Sequence, residues 1–341
     1  MRWLYVVLGV GLLVVTVVDI LWTTLWVDGG SGPLAGRLTT WTWQGLRRMS
    51  DGRRTLSTAG PLILTGTLVL WIAGIWAGWS LLFAAEPWAL VSTRTGGPAD
   101  WPGRIYYVAY TMFTSGNGDY SPRGDVWELA SALTTATGMA FVTLGVSYVL
   151  TVLGAVSQKR SFASSVTGLG ERSEAFVRAG HTDTDGFDGI ERPLESLGEQ
   201  LGQLADQHQS YPILHYYHSE RPTESAAVAV AILDDALTVF ECGLPEGDGP
   251  NRTAWRVART SVDHYLHTLD TTFVDPADEA PPPPVLDRLR RADIETVSDD
   301  AFADALAERS ERRRTTLGVV RGDAWEWPPV DDGSRDISPN G

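Results

Sequence analysis

Three long apolar runs constrain this chain more than anything else in its sequence. Residues 3–26 carry a single charge, Asp19, in 24 positions; residues 61–85 carry none in 25 and residues 129–156 none in 28. About 20 predominantly apolar residues suffice for a helix to cross the hydrocarbon core of a bilayer. Lipid offers no partner for backbone polar groups, so such runs cross as helices. The sequence therefore predicts three spans. A secretory signal peptide is the rival reading of the first run, given Arg2 before it. The run is longer than a signal core, however, and no small-x-small cleavage site follows.

The charge is divided unevenly. Residues 1–160 hold 11 Lys+Arg and 8 Asp+Glu, whereas residues 161–341 hold 16 and 34, so the second half carries −18. That acidity excludes nucleic acid as a partner, because a phosphate backbone attracts Lys and Arg and repels carboxylates. Lys159 is the single lysine. An acidic, lysine-poor surface suits a halophilic cytosol, and a GC-rich genome would equally favour arginine. Cys242 stands alone, which leaves no internal disulfide and no cysteine-based metal site.

Arginines set the topology. Residues 29–60 connect the first two spans and carry Arg37, Arg47, Arg48, Arg53 and Arg54. A short loop so basic belongs on the cytoplasmic side, and its middle, residues 34–49, mixes Leu, Trp and Arg as a helix in the headgroup layer does. The third span ends at Lys159-Arg160, on the same side. The N-terminus is then outside, and the acidic half cytoplasmic.

Between the second and third spans, residues 104–114 are apolar and aromatic but too short to cross. Thr114-Ser115-Gly116-Asn117-Gly118-Asp119 follows at once. On its own that hexapeptide reads equally as a surface turn. A half-length helix followed by a glycine-rich loop between two spans is different, because non-helical backbone at membrane depth must be buried in protein or line a watery cavity. Rings of carbonyls from such loops can replace an ion's hydration shell when several chains surround one axis.

The stretch Tyr110 to Asp119 resembles the pore helix and selectivity filter of tetrameric potassium channels, whose filter reads Thr-Val-Gly-Tyr-Gly-Asp. Thr114, Gly116, Gly118 and Asp119 match; Ser115 stands where Val is usual, and Asn117 where Tyr is usual. More narrowly, the chain is similar to small prokaryotic channel-like proteins with one helix added before the two-helix pore unit. The run from Asp19 to Leu25, Gly32-Pro33, and the run from Tyr211 to Ser219 carry that likeness. The resemblance implies four chains around one axis, with carbonyls of Thr114, Ser115, Gly116 and Asn117 and the Thr114 hydroxyl facing the ion. It implies a looser filter than usual, since Asn117 cannot fill the space of the filter tyrosine. Gly138 falls where the family's inner helix carries its hinge; it and Gly145 are gating-hinge candidates, or places of close helix packing.

Asp19 is costly within a bilayer, about 2.5–3.5 kcal/mol at a helix centre. It serves either as an ion-path or gating carboxylate or as an interhelical hydrogen-bond acceptor for Thr65, Thr67 or the inner helix. No span carries a row of arginines, which leaves voltage sensing without a charge carrier. The histidine pairs His215/His218 and His264/His267 share helix faces and are weak metal candidates beside a packing role.

Beyond Ser161 the pattern is helical. Leu194, Leu197, Leu201 and Leu204 mark one face of a helix over 190–208, and 225–240 and 254–269 read likewise as amphipathic. Residues 281–284 are four prolines, 301–317 form a further helix, and the last twenty residues are disordered. No strand leads into a Gly-x-Gly-x-x-Gly turn, so a Rossmann-type regulatory domain is not expected.

The resulting expectation is an all-α membrane protein with an extra span (1–28), a connector (29–60), a pore domain (61–160), a cytosolic acidic helical domain (161–320) and a tail (321–341). It is a homotetramer in the cell membrane, not an enzyme. It conducts monovalent cations, K⁺ and Na⁺, with no cofactor, and its cytosolic ligand is unspecified. The alternative is a channel-derived platform or sensor that no longer conducts.

Overall fold

The computed structural model describes residues 2–26, 30–49, 56–116, 118–184, 186–270 and 274–328. Asn117, Arg53 and Arg54 lie outside the described residues, as does the expected disordered tail from residue 329 on. The chain is an all-α membrane protein that divides into two compact units.

The first unit takes in Met1–Asp51, Thr58–Leu153 and Ser210–Tyr216. It holds α1 (Arg2–Leu25), α2 (Pro33–Met49), α3 (Ala59–Ala84), β1 (Leu90–Ser92), α4 (Trp101–Met112), β2 (Tyr120–Pro122) and the first part of α5 (Asp125–Leu169). α1, α3 and α5 are each long and apolar enough to cross a membrane. The outward face of α1, with Val7, Leu8, Val14, Val15 and Val18 exposed, suits lipid rather than water. Its other face packs on α3 through Gly74-x-x-x-Gly78. A Cβ on Gly74 would overlap Thr16, and one on Gly78 would collide with Leu13. Small residues at such spacing let helix backbones approach where no hydrophobic drive exists between them. Trp71, fully buried on α3, stacks with Phe141 and Tyr148 of α5 at ring-centroid distances of 6.4 and 5.8 Å. β1 and β2 form a short antiparallel ribbon, Leu90 opposite Pro122 and Ser92 opposite Tyr120.

The second unit takes in Gly52–Ser57, Gly154–Gln209 and Tyr217–Gly341. It holds the remainder of α5, then α6 (Ser173–Ala179), α7 (Glu191–Ser210), α8 (Ala226–Cys242), α9 (Arg252–Asp270), α10 (Asp287–Arg290), α11 (Asp299–Glu308) and α12 (Ser310–Gly322). α7 buries Leu194, Leu197, Leu201 and Leu204, as its spacing predicts. Each contributes about 1.5–3 kcal/mol relative to exposure.

α8 corrects the expectation of a one-faced helix. Every residue from Ala226 to Phe240 is buried, and α6, α9 and α12 pack around it. Its charges are neutralised from afar. Asp234 accepts from Arg259 and from Arg312 (2.8 Å from Nε), while Asp235 forms a fork with Arg313 at 3.1 and 3.2 Å. Arg313 also donates to the carbonyls of Pro281 and Pro282, which ties the proline run to the core. The helix expected over 301–317 is two helices, α11 and α12, parted at Arg309.

Candidate pore loop

The half-length helix α4 starts where local chemistry dictates. Asp100 caps it, its carboxylate accepting from Gly103 N at 2.9 Å, and Pro102 occupies the first turn. Proline there removes a backbone N–H that would lack a helical partner anyway. At the other end, Thr114 N donates to Thr111 O at 3.1 Å and Ser115 N to Tyr110 O at 2.8 Å. These close the helix and launch the hexapeptide.

The backbone then changes hand repeatedly. Thr114, Gly116 and Gly118 have φ of 58°, 55° and 72°, while Ser115 between the first two lies on the ordinary side. Glycine adopts that conformation freely, but for Thr114 it costs roughly 1–2 kcal/mol. Thr114, Ser115, Gly116 and Gly118 are exposed on the single chain, and no described residue donates to the carbonyls of Thr114, Ser115 or Gly116. Asn117 itself lies outside the described residues.

The outer end of the loop is anchored by residues that sequence reasoning missed. Thr93 Oγ1 donates to Gly118 O at 2.9 Å, Thr93 N donates to Asp119 O at 3.0 Å, and Arg94 holds the Asp119 carboxylate at 2.7 Å. Thr93 follows β1 directly, so the β1–β2 ribbon sets its position. A three-residue ribbon leaves no readable alternation, and the only cue was an arginine in a loop of Gly and Pro.

Behind the loop stands a cluster of tyrosines. Tyr110 stacks edge-on with Tyr106 and Tyr107 at 5.1 and 5.3 Å and donates to Tyr120 O at 3.1 Å. The Tyr120 ring covers Gly103, filling the space a Cβ would take. The inner helix α5 grips α4 along one face at Ser131, Thr135 and Gly138. Ser131 pairs with the Tyr107 hydroxyl, and Thr135 donates to Thr111 O at 3.3 Å. Gly138 lies so close to Met112 that a Cβ would overlap its carbonyl, whereas one on Gly145 would make only ordinary contacts with Leu68 and Phe141. α5 runs unbroken through both glycines.

Asp19 is fully buried, and its partners differ from those expected. Thr65 and Thr67 do not reach it; Thr67 donates back to Ile63 O within its own helix. Asp19 Oδ1 instead accepts from Leu34 N at 2.6 Å and Ala35 N at 3.2 Å, and Oδ2 accepts from Trp71 Nε1 at 2.7 Å. The carboxylate thus caps the N-terminus of α2, where free N–H groups and the helix dipole favour negative charge. A Cβ on Gly32 would overlap this carboxylate, and Thr23 Oγ1 accepts from Gly32 N at 3.0 Å. The sequence carried the signal: a Gly-Pro step opening a helix, with an acid 14 residues earlier and in need of donors.

The histidines have ordinary partners. His218 pairs with Asp323 at 2.6 Å, His264 lies 3.2 Å from Asp206, and His215 stacks on Tyr216. Among the described residues no group of three His, Cys, Asp or Glu side chains, His267 included, is placed to hold a metal ion.

Comparison with known proteins agrees with this geometry. The family described as "Ion channel" matches residues 62–155, from α3 through the loop to α5. A protein described as "Uncharacterized membrane protein YdjJ", from Bacillus subtilis (strain 168), is 42% identical over 325 residues, covering 95% of each chain. No solved structure matches. A half-length helix, a loop of alternating hand and two flanking spans, matched as a unit by an ion-channel family, place the chain in the pore-loop channel superfamily.

Proposed function

We propose that four copies of the chain surround one axis and conduct monovalent cations, K⁺ and Na⁺, across the cell membrane. The observation that carries this reading is the run of exposed carbonyls at Thr114, Ser115 and Gly116 at the C-terminal end of α4. Backbone of alternating hand is the conformation in which successive carbonyls can turn toward one side. The C-terminal end of a helix carries partial negative charge, which favours a cation beside it. Four such loops supply stacked rings of oxygen, as in other carbonyl-lined filters. The apolar face of α5, with Leu129, Leu133, Val142 and Val146 exposed, gives each copy a surface to set against lipid and its neighbours.

Selectivity is set by how firmly the rings are held apart. Asn117 lacks the bulk of the family's tyrosine, and the bracing that remains comes from Tyr106, Tyr110 and Tyr120 on one side and Thr93 and Arg94 on the other. A filter held in this way discriminates weakly between K⁺ and Na⁺. Arginine-rich residues 29–60 and Lys159-Arg160 favour the cytoplasmic side for the connector and the acidic C-terminal unit. Gly138 and Gly145 remain the candidate bending points of the inner helix.

Cation flux into liposomes containing the purified chain tests the proposal. Flux of both K⁺ and Na⁺ is expected, and Asn117→Tyr should raise the preference for K⁺. A parent protein that is silent while Asn117→Tyr conducts would assign the chain to the alternative class, a membrane platform that has lost conduction.

A further inference from the structure

One side of α2 is exposed, cationic and aromatic at once. Arg37, Trp41, Gln44 and Arg48 recur at spacings of four, three and four, so they share a helix face. All four are exposed, Trp41 to 69%. Away from that face lie Ala35 and Thr39, both buried, and Leu38, which a Cβ on Gly66 of α3 would press at 3.3 Å. α2 contains no acidic residue. No hydrogen bond, ion pair or ring contact among the described residues engages Arg37, Trp41 or Arg48. Two contacts set the level of the helix against its neighbours. Leu34 N meets Asp19, six residues inside the end of α1 at Leu25, and Leu38 meets Gly66, seven residues into α3. Both of those helices are long and apolar enough to cross a membrane.

We propose that this face of α2 binds the headgroups of anionic phospholipids, each guanidinium taking a phosphate and the Trp41 ring settling between them at the membrane surface. Depth is the first argument. A helix held against two spans inside their ends lies along the boundary between hydrocarbon and headgroups, where an indole is at home. The second is distance. Arg37 and Arg48 stand 11 residues apart, about 16 Å along the helix at 1.5 Å per residue. One small soluble anion cannot meet both, whereas a surface of phosphates can. Charge is the third. Guanidinium forks bind phosphate oxygens in pairs, and with no carboxylate in α2 the face keeps a net positive charge. An anionic leaflet balances that charge and a zwitterionic one does not. The site stands independently of whether the pore conducts.

The test uses the full chain in bilayer nanodiscs made from equal parts of phosphatidylcholine and phosphatidylglycerol with the same acyl chains. Native mass spectrometry counts the lipids that stay on the protein after release. The parent is expected to retain phosphatidylglycerol over phosphatidylcholine by at least about five-fold. The double variant Arg37→Gln/Arg48→Gln is expected to lower that ratio at least about three-fold, while unfolding at the parent's temperature in pure phosphatidylcholine. Equal retention of the two lipids by the parent, or an unchanged ratio in the double variant, overturns the proposal. A double variant that unfolds earlier in pure phosphatidylcholine gives the arginines a structural role, and also overturns it. So does an altered number of chains per complex at an unchanged lipid ratio, which would give the face to a second copy of the chain.

Discussion

Asp19 shows how one carboxylate inside an apolar helix can be held by hydrogen bonds from elsewhere in the chain. Its two oxygens accept from Leu34 N, Ala35 N and Trp71 Nε1, so the charge is spread over a helix end and an indole. Asp19→Ala should destabilise the chain by about 0.5–2 kcal/mol for the lost cap and about 1–3 kcal/mol more for the stranded indole N–H. Asp19→Asn, which keeps one acceptor, should cost less. Thermal unfolding in detergent reads the order parent, Asn, Ala; two variants that unfold like the parent would remove the capping role. At Asp323 the telling variable is pH. Burial alone would raise its carboxyl, but Lys159, His218 and Ser225 outweigh burial and hold it below its ordinary value. The ionised form is favoured in the fold, so the stability it contributes is present above the ordinary carboxylate value of 3.8 and lost as pH falls through the lowered one. Asp323→Asn should flatten that acid limb, as measured by tryptophan fluorescence of the full chain between pH 5 and pH 2. An unchanged limb would place the acid sensitivity elsewhere.

Among the elements, α5 decides whether the pore loop is held in place, because it grips α4 at Ser131, Thr135 and Gly138. Gly138→Ala puts a methyl into the Met112 carbonyl and should abolish flux while lowering the unfolding temperature. Gly145→Ala meets only Leu68 and Phe141 at ordinary distances and should be tolerated in both assays. Equal effects of the two would mean that close packing against Met112 is not what Gly138 provides. α8 makes the complementary case in the second unit. Truncating Arg313 to Met leaves Asp235 buried without its partner and should cost about 3–5 kcal/mol, read by chemical unfolding. These two helices also mark what the sequence could and could not reveal. The spans, α4 and the face of α7 were legible because apolar length and spacing are local properties of the chain. The full burial of α8 was not, because its aspartates are neutralised by Arg312 and Arg313, 78 residues downstream. Thr93 and Arg94 escaped notice for the same reason, since contacts reaching 25 residues along the chain leave no periodicity to read. The glycines of the hexapeptide were legible because left-handed backbone demands them; Thr114 was legible as a residue but its left-handed backbone was not, because nothing local announces a threonine in that conformation.

At the scale of the whole molecule, a single chain leaves its pore loop unfinished. No described residue donates to the carbonyls of Thr114, Ser115 and Gly116, and Leu129, Leu133, Val142 and Val146 of α5 are exposed among the described residues. Each deficit is met if four loops share one axis and α5 lies against its neighbours or lipid. The most direct measurement is the native mass of the protein released from bilayer nanodiscs. The account predicts complexes of four 37.1-kDa chains, retained when the C-terminal unit is perturbed by Arg313→Met. A monomer or a dimer as the largest species from the bilayer would contradict it, because no ring of carbonyls could then form.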